Sequence, residues 1–175
     1  MLPRFRRLAI VDHGESAMRV IHTVRELDEQ RAERTHLIAL HPEGWGGSLP
    51  VRQADETVAF GGSGAGPADL EAIEAALVGT HADAAWAGWD AVASRPAFAE
   101  LCERLGIVFI GPDAATLRVV TDKIAMKRIA QDAGIRVVPW SGGPAGDADE
   151  AARQAVELGF PLFLKPACGA QGIGA

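Results

Sequence analysis

Short apolar runs alternate with stretches whose apolar residues recur at helical spacing, and this alternation restricts the chain to an α/β fold. Leu8-Ala9-Ile10-Val11 reads as a buried strand. Ala17, Val20, Ile21, Val24 and Leu27 then form one face of a helix. Leu37 to Leu40 is a second strand, and the Gly/Pro-rich stretch His41 to Pro50 is expected to be loop. Thr57 to Phe60 is a third strand, followed by the glycine-rich connector Gly61 to Pro67. Leu70, Ile73, Leu77 and Val78 mark a helix, Ala84 to Ala87 a strand, Phe98 to Leu105 a helix face, and Ile107 to Ile110 a strand closed by Gly111-Pro112. Strands separated by helices need right-handed crossovers, which make the sheet parallel.

Beyond Pro112 the texture changes. Ala114 to Val120 and Lys123 to Ala133 read as helices, and Val137-Val138 is a short apolar stretch. Trp140 to Gly146 is a second Gly/Pro-rich link. A helix over Glu150 to Leu158 and a strand over Phe160 to Lys165 follow, and the strand runs into the glycine-rich Cys168 to Ala175. A strand that ends in such a loop leaves backbone groups unpaired, so the expectation is the front part of a longer protein. The boundaries expected are a first domain at 1–112, a helical linker region at 113–146 and the start of a second domain at 147–175.

Composition removes several function classes. With 17 basic against 23 acidic residues the net charge is −6, which argues against a dedicated nucleic-acid binder. No apolar run approaches the roughly 20 residues of a membrane-spanning helix, and the apolar stretch after Met1 to Arg7 is too short for a secretory signal. Two cysteines, Cys102 and Cys168, make no disulfide framework and have no partners at metal-ligand spacing. A reducing cytoplasm fits this usage. His13, His22, His36, His41 and His81 fall in separate elements, so no metal cluster is read from them.

The residues that can carry chemistry are few. Lys165 at a strand end, with Gly169, Gly172 and Gly174 after it, supplies positive charge and a backbone that can approach phosphate oxygens closely. Lys123 offers a second charge. On the residues alone, a surface lysine beside a glycine-rich stretch is the plainer reading. Asp12-His13-Gly14-Glu15-Ser16 is a strand-to-helix junction that could hold an anion, but it lacks Gly-x-Gly-x-x-Gly, and a helix start with an acidic first turn explains it as well. Arg19 reads as a solvent or interface position, and Cys168 has no neighbouring base. The sequence separation of Asp12, His13 and Ser16 is too small to be read as a triad.

Gly14-Glu15 with Arg19 beyond, Ala54-Asp55-Glu56-Thr57, Phe98-Ala99-Glu100 and Gly106 to Pro112 resemble the N-terminal domain of biotin carboxylases. So do Asp122-Lys123, Ala133-Gly134-Ile135 and Gly159 to Lys165. Order and spacing agree along nearly the whole chain, and Trp86-Ala87-Gly88-Trp89 with Pro139-Trp140-Ser141-Gly142 is more similar to multidomain acyl-CoA carboxylases, of the acetyl-CoA type in fatty acid metabolism. The resemblance implies a Rossmann-like parallel sheet, the pre-ATP-grasp domain, followed by the truncated start of an ATP-grasp domain. It implies an ATP-dependent ligase that uses MgATP and bicarbonate to carboxylate biotin on a carrier domain, from which a carboxyltransferase domain, in the same polypeptide, passes the carboxyl group on. A homo-oligomer is expected, with no nucleic-acid or membrane partner.

The resemblance also gives Lys123, Lys165, Gly169, Gly172 and Gly174 to ATP, and sets Trp89 in the place of an aromatic near the biotin pocket. The catalytic and Mg²⁺-binding residues are expected beyond Ala175, so residues 1–175 alone are expected to be inactive. Departures from the family pattern are Asp12-His13 for Asn-Arg, Ser94-Arg95 for Glu-Asn, Ala170 and Gln171 within the glycine run, and Ile173 for a basic residue. Two other readings stand beside this one. One is another ATP-grasp ligase, forming carbamoyl phosphate or an amide; the other is a non-catalytic domain kept for assembly.

Overall fold

The computed structural model describes residues 5–61, 69–88 and 92–167. It divides into two compact units, Met1–Ala114 and Ala115–Ala175.

In the first unit the elements run β1 (Arg7–Val11), α1 (Glu15–Arg31), β2 (His36–Pro42), α2 (Leu49–Gln53), β3 (Glu56–Phe60), α3 (Leu70–Gly79), β4 (Ala84–Ala87), α4 (Pro96–Leu105) and β5 (Val108–Phe109). All four strand pairings are parallel and the order across the sheet is β3-β2-β1-β4-β5. Chain growth goes outward from β1 through β2 to β3, then returns to the other side of β1 for β4 and β5. The sheet therefore has a switch point between β1 and β4.

Both faces of the central strands are covered, which explains why β1 and β2 read as unbroken apolar runs. Ala9, Val11, Ile38 and Leu40 pack on one face with Ile73 and Leu77 of α3 and Phe98, Leu101 and Cys102 of α4. Leu8, Ile10 and Leu37 pack on the other with Ala17 and Ile21 of α1. The Phe98 ring meets the Phe109 ring edge-on at a centroid distance of 5.2 Å. Helix α1 stops where Ala32 turns left-handed at φ 51°, and α4 stops at Gly106, φ 68°, a conformation glycine adopts without a Cβ penalty.

The stretch expected to be loop from His41 to Pro50 is shorter than its composition suggests. β2 extends to Pro42, and α2 begins at Leu49 with Pro50 in its first turn, where the missing N–H would have no helical partner anyway. Of the expected strand Ile107 to Ile110, only Val108 and Phe109 pair with β4.

The second unit holds α5 (Ala114–Thr121, whose first residue belongs to the first unit), α6 (Lys123–Asp132) and α7 (Ala148–Leu158). Asp122 caps α6 by accepting from the N–H groups of Ile124 and Ala125, and Asp147 caps α7 through Glu150. Trp140 Nε1 donates to Gln131 Oε1 at 3.2 Å while Lys127 Nζ sits 5.4 Å above the Trp140 ring, so one face of α6 holds the segment that follows it. The strand expected over Phe160 to Lys165 does not form. Its residues lie outside any ladder, and Phe160, Phe163 and Leu164 are exposed. A strand exists only against a partner, and the described residues of this unit offer none.

Candidate functional site

The start of α6 is where the second unit brings distant residues together. With Asp122 engaged as the cap, the Lys123 N–H donates to the Ala167 carbonyl at 3.0 Å. That bond ties the first residue of α6 to the chain just after Lys165. Lys123 is half-buried; Lys165 is exposed, its Nζ 5.4 Å from the Phe163 ring. Lys123, Lys127 and Lys165 are the only lysines of the chain, and all belong to the second unit. Through that bond the backbone of Lys123 lies beside that of Ala167, two residues beyond Lys165 in sequence. Gly169, Gly172, Gly174, Cys168 and Trp89 lie outside the described residues.

The other junction singled out in the sequence, the carboxyl end of β1, is closed to anions by its own acid. Asp12 is buried, and its Oδ1 accepts from the N–H groups of His13 at 2.6 Å and Gly14 at 3.0 Å. Those donors are the ones an anion would need, so the junction is a helix start. Ser16 Oγ donates to Asp12 Oδ2, and the His13 ring lies 3.9 Å from the Trp45 ring, centroid to centroid. Serine thus bonds the carboxylate directly, with no imidazole between them, and a relay of the triad kind is absent. Arg19 pairs with Glu15 at 3.2 Å on the exposed face of α1.

At the opposite edge of the sheet, the Ala54-Asp55-Glu56-Thr57 motif serves structure. Asp55 accepts from the Leu37 N–H at 2.8 Å, from Arg25 at 2.6 Å and from Arg34 at 2.7 Å. Burial pushes its carboxyl up, but these three bonds outweigh burial and hold it at about 2. Glu56 accepts from Arg7 at 2.6 Å and faces His36 Nε2 at 3.0 Å; the Arg7 bond leads in holding its carboxyl below the ordinary range. Burial raises the Cys102 thiol to about 11, which leaves it protonated and inert at neutral pH. No group of three or more His, Cys, Asp or Glu placed to hold a metal occurs among the described residues.

A doubly wound parallel sheet with an acid-filled switch point, followed by a helical unit that carries all three lysines of the chain, is the class of protein that fold and site define. The family description "Biotin carboxylase, N-terminal domain" matches residues 4–117, and "Carbamoyl-phosphate synthase L chain, ATP binding domain" matches residues 122–175. The chain belongs to the biotin carboxylase N-terminal domain family. The propionyl-CoA carboxylase alpha chain of Ruegeria pomeroyi is 32% identical over 172 residues, 97% of this chain and 24% of that one. A pyruvate carboxylase subunit of Methanothermobacter thermautotrophicus is 31% identical over 97% of this chain and 34% of its own. The biotin carboxylase domain of Hydrogenobacter thermophilus 2-oxoglutarate carboxylase, solved as a dimer with MgADP, ADP and bicarbonate, superposes with a TM-score of 0.83 at 31% identity, covering 96% of this chain and 36% of that one. Biotin carboxylase of Campylobacter jejuni, solved with a nucleotide, gives 0.82 at 29% identity, over 95% and 36%. The chain spans about a quarter of the propionyl-CoA carboxylase relative and about a third of the pyruvate carboxylase relative.

Sequence reasoning missed the Asp55 network and the Asp12–Ser16 bond. An acidic pair just before a strand, in Asp55-Glu56, was the one signal for the first; nothing local signals the second.

Proposed function

We propose that this chain is the front part of a biotin carboxylase, which transfers the γ-phosphoryl group of ATP to bicarbonate and then carboxylates biotin on a carrier domain. The observation that carries this reading is the bond between Lys123 N–H and Ala167 O, which joins two segments the family likeness gives to ATP. Lys123 and Lys165 neutralise phosphate oxygens, and Gly169, Gly172 and Gly174 let the backbone close on them. Trp89 contributes to the biotin side. The two lysines fit the polyphosphate, whereas the described residues offer no carboxylate group fit for Mg²⁺. The domain limits proposed remain 1–112, 113–146 and 147–175.

Relatives named for propionyl-CoA, methylcrotonoyl-CoA, pyruvate and 2-oxoglutarate match at a near-uniform 31–33% identity. That uniformity supports an acceptor chosen outside these residues, by a carboxyltransferase. An acyl-CoA acceptor, and the acetyl-CoA and fatty-acid assignment within it, rest on the Trp86–Trp89 and Pro139–Gly142 motifs alone. The dimeric relative supports a homo-oligomer. A cytoplasmic location is part of the proposal and rests on the sparse cysteine usage. No helix among the described residues is long and apolar enough to cross a membrane.

One specific observation favours a second reading, a carbamoyl-phosphate-type ligase: the match over residues 122–175. ADP release by the full-length polypeptide separates the two. Release that needs bicarbonate and rises with biotin supports the first; release that rises with ammonia and ignores biotin refutes it.

A further inference from the structure

Every backbone donor at the start of α6 has an acceptor. Asp122 N–H donates to the Val119 carbonyl at 3.2 Å and Met126 N–H to the Asp122 carbonyl at 3.0 Å. Ile124 and Ala125 N–H donate to Asp122 Oδ1 at 2.9 and 3.0 Å. The remaining donor, Lys123 N–H, goes to the Ala167 carbonyl at 3.0 Å. A helix start whose donors are all taken has none to give an anion, so this end of α6 works as an anchor for the chain that reaches it.

That chain has no other such hold. Among the described residues, no other hydrogen bond reaches the stretch 160–167, which is exposed throughout. Two residues of extended chain span about 7 Å, so a fixed Ala167 confines the Lys165 backbone within that radius. Without the bond, Lys165 belongs to a free segment, and ligand binding must bear the cost of ordering it.

We infer that Asp122 and the Lys123 amide are positioning groups for Lys165, acting through the Ala167 carbonyl to hold that lysine where a polyphosphate can meet it. The inference rests on the biotin carboxylase reading above, which gives Lys165 to ATP; the anchor itself rests on the hydrogen bonds of Asp122, Lys123 and Ala167. Two experiments on the full-length polypeptide test it. The first is amide exchange in the wild type. An N–H at the first position of a helix has no intrahelical acceptor, so slow exchange at Lys123 reports the Ala167 bond. Exchange at least about tenfold slower than in a free peptide is expected, and exchange at the free-peptide rate overturns the anchor.

The second is steady-state ADP release with MgATP and free biotin varied in turn. Proline suits the first helical position and lacks the N–H, and Asp122, extended at φ −90° and ψ 105°, accommodates a proline after it. Lys123→Pro and Lys123→Met both remove the charge, but only the first removes the donor. KM for MgATP should stand about tenfold higher in Lys123→Pro than in Lys123→Met, with KM for biotin within about twofold between them. Asp122→Ala uncaps the helix and keeps both lysines, and should raise KM for MgATP about fivefold. Asp122→Asn, an equally good cap, should return it to within about twofold of wild type.

Equal KM for MgATP in Lys123→Pro and Lys123→Met, or equal rises for both substrates in Asp122→Ala, overturn the positioning role. Should Lys123→Pro fail to fold, Asp122→Ala against Asp122→Asn carries the same comparison. A wild type whose ADP release ignores biotin overturns the carboxylase reading, while the exchange rate at Lys123 still decides the anchor; a biotin-dependent wild type with unaffected variants overturns the positioning role alone.

Discussion

Asp55→Ala removes one carboxylate from the amino-terminal edge of the sheet and exposes three dependencies at once. Leu37 is fully buried, so its N–H loses its acceptor in a place water does not reach, at about 1–3 kcal/mol. Arg25, 29% exposed, loses its 2.6 Å partner, which adds about 1 kcal/mol, while Arg34 is 75% exposed and adds little. The sum is about 2–4 kcal/mol, or a fall of roughly 8–15 °C in melting temperature for a unit of this size. Asp55→Asn keeps an acceptor for Leu37 and forfeits the charge, at about half that cost.

The same carboxylate has a pH signature. Its folded pKa of about 2 lies below the ordinary 3.8, so its stabilisation is complete above about pH 4 and disappears as pH falls toward 2. Wild type should therefore lose stability between pH 4 and 2 more steeply than Asp55→Asn. Urea unfolding followed by circular dichroism, with amide exchange read at Leu37, measures both. An Asp55→Ala protein within about 0.5 kcal/mol of wild type, or acid slopes equal in wild type and Asp55→Asn, would refute the reasoning.

Lys165→Met in the full-length polypeptide should raise KM for ATP and lower turnover, a loss of about 2–4 kcal/mol in transition-state stabilisation; unchanged ATP kinetics would remove its assigned role. Phe98→Ala empties a fully buried site beside Phe109 and should cost about 3–5 kcal/mol in thermal unfolding, a loss under about 1 kcal/mol contradicting the packing. The segment 141–146 lies outside regular structure and is largely exposed, so limited proteolysis should cut there before it cuts within Leu101 to Ile110. The reverse order would contradict the placement of the link.

The strands of the first unit were legible because residues buried on both faces must be apolar without interruption, as Leu8 to Val11 and Leu37 to Leu40 are. Helices α1, α3 and α4 were legible from one apolar stripe each. What escaped was whatever depends on distant residues. Helix α2 hid behind the glycines and prolines around it, and its Pro50 marks a helix start only once Ser48 is seen in extended conformation before it. The run Phe160 to Lys165 has the composition of a strand, yet pairing needs a neighbour that no local pattern reports. Gly88 was one glycine among 20, and its closeness to Asp12 arises only because β1 and β4 lie side by side. Lys123 and Lys165 were singled out through family likeness, since charge and glycine content alone fit a surface equally well.

The most direct test of the central claim is the fate of ¹⁴C-bicarbonate given to the full-length polypeptide with MgATP and biotin. Acid-labile label should appear on biotin in step with ADP release, and Lys165→Met should diminish both together. ADP release with no label on biotin, or label that requires ammonia instead, would contradict it.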